Sequence, residues 1–217
     1  MNSLEETWPV FGLRLRAGPL ELAAVRDDDI PQLHALAARG IHDPRSMPFM
    51  FPWTDAAEED LGRNMAVHYW RGRAALTPQR WSLELVVRRD GEVVGIQAFY
   101  AEHFLVTRTG ETGSWLGLEH HGRGTGTLMR QTLCAFLFDH LDAQEITSAA
   151  FVDNPASLAV SRKVGYRPNG NTREKRREGE LSISQRLVLR PADLVRSPHP
   201  LEVEGLPPLR RLLGLDS

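Results

Sequence analysis

The sequence predicts a mixed α/β fold, with a mostly antiparallel sheet of six to seven strands and helices on both faces. Three observations predict it. Short strand segments are joined by tight turns, two helical segments interrupt them early, and a glycine-rich turn later joins a strand to a long helix. A meander followed by helical crossovers requires a mixed sheet, because crossovers connect strands that run in the same direction.

The composition limits the function classes. The 217 residues carry 26 basic and 28 acidic side chains, a net charge of −2, which argues against a dedicated nucleic-acid binder. The longest apolar runs are far shorter than the ~20 residues of a membrane span, so no membrane association is expected. The single cysteine, Cys134, excludes an intrachain disulfide and suits a cytoplasmic protein. The eight histidines lack ligand spacing, so no metal is expected.

The first elements are two short strands and two helices. Residues 13–16 and 20–22 favour strands around a Gly-Pro turn. Three aspartates and a proline at Ile30-Pro31 are typical of a helix start. Thr54 or Asp55 could cap a second helix with an acidic first turn, which would reach about Ala75.

The loop between these helices, residues 42–53, is rich in proline, methionine and aromatic residues. Such a loop either fastens the helices together or lines a pocket. We expect it to form the wall of an acceptor pocket, with His42, Phe49 and Trp53 as its members.

Three antiparallel strands follow, at about residues 81–87, 92–99 and 112–119. The dipeptide Asp90-Gly91 predicts a type I′ hairpin between the first two. After the glycine-rich turn, a helix is expected over residues 125–141.

The C-terminal part predicts a strand at 145–152, a helix at 154–164 and a last strand at 181–189. The charged segment 172–180 is interpreted as a solvated loop. Residues 1–196 are therefore expected to form one domain, with residues 197–217 as an appendage. The leucines of that tail suggest a homodimer, since exposed apolar patches find partner surfaces, although the tail could instead fold back on its own subunit.

The glycine-rich turn, Gly122-Arg123-Gly124-Thr125-Gly126-Thr127, carries the strongest functional signal. Free backbone N–H groups at the positive end of a helix dipole bind phosphate, and glycines let the backbone approach it. Glycine-rich turns of this kind are also common without a ligand. A nucleotide-binding P-loop is disfavoured, because no Gly-Lys-Ser/Thr follows.

This order of elements and motifs resembles the GNAT superfamily of CoA-dependent N-acyltransferases. In that family the fourth strand splays from the fifth, pantetheine lies in the split, and the pyrophosphate binds a Gln/Arg-x-x-Gly-x-Gly/Ala loop. Residues 121–126 occupy that motif here, with His121 in its first position. The resemblance covers about residues 10–190.

The cluster Asn154-Pro155-Ala156-Ser157, followed by Gly165-Tyr166, is similar to the RimJ/RimL-type branch, which acylates protein N-termini among other amines. Residues 42–54 and 113–117 are similar to an actinobacterial subgroup with a member associated with succinyl-CoA. The resemblance thus implies transfer of an acetyl or succinyl group from acyl-CoA to a primary amine, on a protein N-terminus, a lysine or a small molecule. A non-catalytic acyl-CoA-binding regulatory domain is the alternative.

The resemblance also implies a set of cofactor-binding residues: Leu116, Gly117, Leu118, His121, Gly122, Arg123, Gly124, Thr125, Gly126, Thr127, Asn154, Ser157 and Lys163. Backbone N–H groups of residues 116–118 would polarise the thioester carbonyl. Asn154 could also be a simple helix cap, and Lys163 could belong to a solvated helix face.

Two residues are expected to act on the transferred group. Ser157 would protonate or hydrogen-bond the departing thiolate at a helix N-terminus, although it too could be a first-turn cap. Glu102 is the expected general base, with a water-mediated route without a dominant side chain as the alternative. Direct transfer is expected, since Cys134 lies within a helix and suits no acyl-enzyme route.

Overall fold

The computed structural model describes residues 3–216 and contains one nine-stranded sheet. Its strands are β1 (Arg14–Ala17), β2 (Leu20–Ala24), β3 (Arg80–Arg89), β4 (Glu92–Glu102), β5 (Thr109–Leu116), β6 (Glu145–Phe151), β7 (Arg167–Arg177), β8 (Glu180–Leu189) and β9 (Glu202–Glu204). The helices are α1 (Leu4–Thr7), α2 (Ile30–Ala38), α3 (Glu58–Ala74), α4 (Phe104–Thr107), α5 (Thr125–His140), α6 (Pro155–Val164) and α7 (Leu206–Leu212). The strand order is β7-β8-β6-β5-β4-β3-β2-β1-β9.

The predicted mixed, mostly antiparallel sheet is confirmed, since β5 and β6 form the parallel pair and the other neighbours are antiparallel. Helices cover both faces, as predicted. Leu133 and Phe136 of α5 belong to one hydrophobic core, and Leu33 of α2 and Met65 of α3 belong to the other. The sheet therefore separates two cores, which is why its central strands are apolar on both sides.

The sheet has nine strands rather than six to seven, because two segments were not predicted as strands. Residues 172–180 were expected to be a loop, but 172–177 belong to β7, an edge strand with mostly exposed side chains. Charged residues are favoured on such edges because they discourage pairing with other chains. The high charge of this segment correctly indicated that its side chains are exposed. The prediction that it forms a loop was wrong.

The other additional strand lies in the C-terminal tail. β9 pairs with β1, with Val203 opposite Leu15. Leu209 and Leu213 then reach the core with no exposed surface. The apolar tail that suggested a second subunit is thus packed against its own chain.

The β3–β4 hairpin turns as predicted. Asp90 and Gly91 have φ angles of 52° and 87°, and a type I′ turn requires positive φ at both positions. The strand expected over 112–119 instead starts at Thr109 and ends at Leu116, because a 3₁₀ turn over Leu118–His120 follows it.

A gap opens between β5 and β6, as the family resemblance implied. Their parallel pairing is limited to Thr109–Glu111 of β5 and Glu145–Thr147 of β6. Residues 112–116 of β5 stay paired with β4 on the other side. One edge of β5 is therefore available to a ligand in its C-terminal half.

Candidate active site

The C-terminal half of β5 presents backbone groups to the gap. The Gly117 amide donates to the Val94 carbonyl oxygen at 3.0 Å, next to the β4–β5 ladder. In an antiparallel pair alternate residues direct their N–H and C=O groups away from the partner strand. Ser114 and Leu116 are those residues here, so their amides face the gap.

This geometry changes the predicted set of carbonyl-polarising amides. The Gly117 and Leu118 amides already donate to the carbonyl oxygens of Val94 and Gly40, each at 3.0 Å. The Gly117 amide faces β4 by the same alternation, and the Leu118 amide reaches Gly40 because the chain leaves the strand at Gly117. Leu116 remains from the predicted set, and Ser114, which the prediction omitted, joins it.

The glycine loop is open to solvent and shaped for an anion. Gly122 and Gly124 have φ angles of 72° and 80°, and no atom lies within 4 Å of a Cβ added at either position. No acceptor among residues 3–216 takes up the amides of residues 122–126. A pyrophosphate fits this cradle, since it would satisfy those amides at the start of α5.

His121 and Gly126 shape the two ends of this loop. His121 Nε2 lies 3.1 Å from the Leu116 carbonyl oxygen and donates to it, which fixes the loop to the end of β5. Gly126 lies where three elements meet, because a Cβ there would be 3.5 Å from Val160 and 3.6 Å from Leu116. Thr127 belongs to the first turn of α5, where its amide donates to the Gly124 carbonyl oxygen at 3.1 Å.

An arginine that the sequence did not indicate stands beside this loop. Arg89, at the end of β3, donates to Thr125 Oγ1 at 2.8 Å and to the Arg123 carbonyl oxygen at 3.4 Å. Its side chain is 35% exposed. It adds a positive charge to the cradle, and no local motif could have revealed it, because the sheet brings it there.

The start of α6 separates two predicted roles. Asn154 Oδ1 accepts from the Ser157 amide at 3.1 Å, so Asn154 caps the helix. The Ser157 hydroxyl has no partner among residues 3–216 and does no capping. Lys163 is exposed in the last turn, roughly 9 Å along the helix from Ser157 at about 1.5 Å per residue. Lys163 therefore lies away from both Asn154 and Ser157.

Polar groups lie beneath the gap, on the side of α5 and α6. Arg130 is 4% exposed and donates to Ser114 Oγ at 2.8 Å and Ser161 Oγ at 3.0 Å. Tyr166 is a core residue, and burial raises its pKa well above the usual value. Burial likewise raises the pKa of Cys134 to about 11, so this thiol is not a nucleophile.

A large cavity occupies the opposite face of the sheet, beneath the loop before α3. Its volume is about 1290 Å³. Its lining includes Phe49, Trp53, Met65, His68, Tyr69, Glu84, Ala98, Tyr100, Glu102, Gly113 and Trp115. Gly113 and Trp115 belong to β5, so this strand lies between the cavity and the gap.

Aromatic side chains form one wall of the cavity. The ring centroids of Phe49 and Trp53 are 5.4 Å apart, and those of Trp53 and Trp115 are 5.7 Å apart. His42 packs edge-on against Phe49 outside the lining, and its Nε2 lies 2.8 Å from Thr54 Oγ1. Phe49 and Trp53 thus lie on the wall, and His42 supports it.

Two of the three carboxylates that line the cavity, Glu84 and Glu102, have different surroundings. Glu102, the predicted base, is 65% exposed at the end of β4 and lies 3.3 Å from Arg80. Glu84 is 12% exposed, and its Oε1 lies 3.1 Å from His68 Nε2. The signal for Glu84 was a charged residue inside the apolar strand 81–87, and sequence reasoning did not use it.

Residues 3–216 contain no group of three or more histidine, cysteine, aspartate or glutamate residues that could hold a metal ion. Within the same range, no helix is both long enough and apolar enough to cross a membrane.

Known proteins match both the sequence and the fold. A family model described as "Acetyltransferase (GNAT) domain" matches residues 20–167. The chain is 30% identical over 128 residues to "Putative ribosomal N-acetyltransferase YdaF" of Bacillus subtilis, a match that covers 58% of this chain and 67% of that protein.

Two solved structures illustrate the shared fold. Mycobacterium smegmatis RimJ, in complex with CoA-disulfide, aligns with a TM-score of 0.73 and 20% identity over 88% of this chain and 91% of that one. Spermidine N-acetyltransferase from Vibrio cholerae, in complex with CoA and spermine, aligns with a TM-score of 0.64 and 16% identity over 81% and 98%.

Proposed function

Because this chain belongs to the GNAT acetyltransferase family, in a RimJ/RimL-like branch, we propose that it transfers the acetyl group of acetyl-CoA directly to a primary amine in the cavity. The observation that carries this proposal is the position of β5. Ser114 and Leu116 direct their amides into the gap, whereas Gly113 and Trp115 line the cavity. A donor in the gap and an acceptor in the cavity would meet across this one strand.

The chain offers contacts to the pyrophosphate and to the thioester of the donor. The amides of residues 122–126 and the Arg89 guanidinium would hold the pyrophosphate. The Ser114 and Leu116 amides would polarise the thioester carbonyl, and amides fixed in a strand cost no reorganisation in the transition state. The donor supplies an activated acyl group, so no enzyme nucleophile is needed.

Ser157 completes the donor side. Its hydroxyl has no partner within the described residues 3–216 and lies in the first turn of α6, where the helix dipole favours negative charge. We assign it the departing thiolate, to which it would donate a hydrogen bond.

The acyl group is proposed to be acetyl. A succinyl group needs a cation or amide donors near its carboxylate, and Arg45 and His42, two side chains of the loop before α3 that could supply a cation, are engaged elsewhere. Arg45 is 90% exposed and bonds Asp43 at 2.7 Å, and His42 contacts Thr54. Succinyl-CoA remains the alternative donor to test.

The acceptor is proposed to be a protein N-terminus or a small polyamine. Names of similar proteins refer to ribosomal and spermidine N-acetylation, and the aromatic wall with Glu84 suits the alkyl chain and the charge of such an amine. Either acceptor would place the enzyme in the cytoplasm.

Turnover assays test this function. Acetyl-CoA and succinyl-CoA should each be offered with a peptide bearing an N-terminal serine, with spermine and with free lysine, and products followed by mass spectrometry. We expect acetylation of at least one amine and a slower reaction with succinyl-CoA. Binding of CoA without turnover of any amine would instead support the regulatory alternative.

A further inference from the structure

We propose that Glu84 meets the ammonium group of the acceptor and takes its proton, and that His68 passes this proton to solvent. The proposal rests on the function proposed above and assigns its general base. It replaces Glu102 in that role.

The sheet register places Glu84 in line with β5, the strand between the gap and the cavity. Glu84 pairs with Ala98, and Ala98 pairs with Gly113, so the three residues form one row on the cavity face. Two strand spacings of about 4.8 Å separate Glu84 from Gly113, roughly 10 Å in all. Ala98 carries only a methyl group and lines the cavity, so the space above it can take an amine. An amine seated over Ala98 would lie between the carboxylate and β5.

Tyr100 closes one side of this space. A Cβ on Gly113 would lie 3.3 Å from the Tyr100 ring, so glycine leaves room for that ring. Burial, and then the Glu84 carboxylate, raise the pKa of Tyr100, so its hydroxyl keeps its proton. Tyr100 is therefore a wall and a hydrogen-bond donor, and it does not compete with Glu84 for the proton.

The partners of the nearby carboxylates distinguish Glu84 from the rest. Asp55, Glu102 and Glu111 each contact an arginine, at 2.6 Å, 3.3 Å and 2.6 Å respectively. An arginine cannot accept or release a proton at ordinary pH. Glu84 contacts His68 instead, and histidine exchanges protons near neutral pH.

The other groups around Glu84 do not carry away a proton. Tyr69 of α3 is buried, and burial raises its pKa. Arg73 of α3 lies on the same side of Glu84 and contacts Asp27. The remaining neighbours on that side come from the N-terminal segment, the β2 region, α3 and β3 and carry no charge: Trp8, Val10, Phe11, Ala24, Val25, Gly72, Leu76 and Ser82.

His68 connects the carboxylate to solvent. Its side chain is 57% exposed, and its bond to Glu84 raises its pKa. The ammonium gives one proton to the Glu84 carboxylate, which leaves a neutral amine. The protonated carboxyl then gives this proton to Nε2 of the Nδ1–H tautomer of neutral His68, and the ring releases a proton from Nδ1 to water. Glu84 is again a carboxylate, and His68 is neutral with its proton on Nε2. Exchange of the ring protons with water at the exposed side chain restores the Nδ1–H tautomer before the next cycle.

Glu84→Gln tests the proposal, with Glu59→Gln as the control because it makes the same exchange at an exposed position of α3 outside the cavity lining. We expect Glu84→Gln to lower kcat by about 10²-fold, the lower range for loss of a general base, with unchanged CoA affinity and melting temperature. Glu59→Gln should have the kcat of the parent. The proposal would be overturned if the kcat of Glu84→Gln were within about threefold of that of the parent, since loss of a general base costs far more.

Two further measurements separate a catalytic role from a structural one. NMR titration of His68 should show its pKa falling toward the ordinary value in Glu84→Gln, and an unchanged pKa would refute the coupling. His68→Asn should lower kcat, and added imidazole should restore part of it, because a diffusible ring can take the proton that Glu84 releases. A kcat in His68→Asn equal to that of the parent would refute the relay.

If the parent protein acetylates no amine, the proposed function fails, and binding decides the role of Glu84. Calorimetry with spermine should then show binding to the parent and at least tenfold weaker binding to Glu84→Gln. Equal binding, or none to the parent, would remove Glu84 from amine recognition.

Discussion

Asn154 and Ser157 share one helical turn and have separable tasks. The side-chain oxygen of Asn154 accepts from the Ser157 amide at 3.1 Å, which uses Asn154 for capping. The hydroxyl of Ser157 has no hydrogen-bond partner within residues 3–216, and we propose that it meets the ligand. Stability should therefore depend on the first residue and turnover on the second.

Ser157→Ala should lower kcat by about 10²- to 10³-fold, the loss typical of one donor to a developing negative charge. Its free energy of unfolding should be nearly unchanged. Asn154→Ala should lower the free energy of unfolding by about 1 kcal/mol, because it removes a helix cap. Steady-state kinetics and chemical denaturation of both variants check this, and a normal kcat in Ser157→Ala would exclude Ser157 from the reaction.

Arg89 provides a second prediction at this scale. Arg89→Gln should weaken CoA binding by about 10-fold or more, since charge-assisted hydrogen bonds to an anion are worth about 1.5–3 kcal/mol. Affinity for pantetheine, which lacks the pyrophosphate, should not change. Calorimetry of both ligands measures this, with Arg63→Gln as a control because Arg63 is an exposed arginine bonded to Asp60. Equal losses for CoA and pantetheine would show a general disturbance of the loop.

Local sequence predicted the residues of the glycine loop and of the α6 start, because each of those groups is contiguous in the chain. Glu84 and Arg89 could not be found in this way. The role proposed for Glu84 depends on Ala98 and Gly113, and that proposed for Arg89 on Thr125, through strand pairings and contacts across the fold. Glu102 differs from Glu84 in its greater exposure and in its contact with Arg80, neither of which the sequence reveals.

Whole elements show the same contrast between features set by adjacent residues and features set by distant contacts. The β3–β4 hairpin was predictable because the turn type depends on two adjacent residues, Asp90 and Gly91. β7 was missed because it is an exposed edge strand, so it lacks the apolar alternation that marks a half-buried strand. The end of β5 was misplaced because contacts of Gly117 and Leu118 with distant carbonyl oxygens determine it.

Arg130 links three elements, and the destabilisation caused by its buried charge should be measurable. Its guanidinium joins α5 to Ser114 of β5 and Ser161 of α6, and no carboxylate within residues 3–216 lies within 4.0 Å of it. Its Nε has no acceptor in the same range. A buried charge without a counterion destabilises a fold. Its two hydrogen bonds hold Ser114 and Ser161 on the side of the gap that faces α5 and α6.

Arg130→Met should therefore leave the melting temperature unchanged or raise it, because a side chain of similar length replaces an uncompensated charge. Turnover should fall, since Ser114 loses the partner that holds it beside the gap. Ser161→Ala is the control, because it removes one hydrogen bond and keeps the charge, and should cost about 1 kcal/mol. Calorimetric melting measures the stability of both variants, and acetylation kinetics measure their turnover. A destabilised Arg130→Met with normal turnover would contradict this account.

At the scale of the whole molecule, the tail 197–217 determines how the chain can associate. It was expected to be an appendage to residues 1–196, and its leucines suggested a homodimer. β9 pairs with β1, and Leu209 and Leu213 are fully buried in the same chain. A dimer remains a proposal, but it now needs a surface other than these leucines.

Leu209→Ala should destabilise the protein by about 2–5 kcal/mol, because it leaves a cavity in a packed core. Its molar mass in light scattering should equal that of the parent, since Leu209 contacts its own chain. Arg211→Ala changes an exposed residue of the same helix and should alter neither quantity. Loss of a dimer in Leu209→Ala without a lower free energy of unfolding would show that the tail binds a second subunit, and would contradict its intramolecular packing.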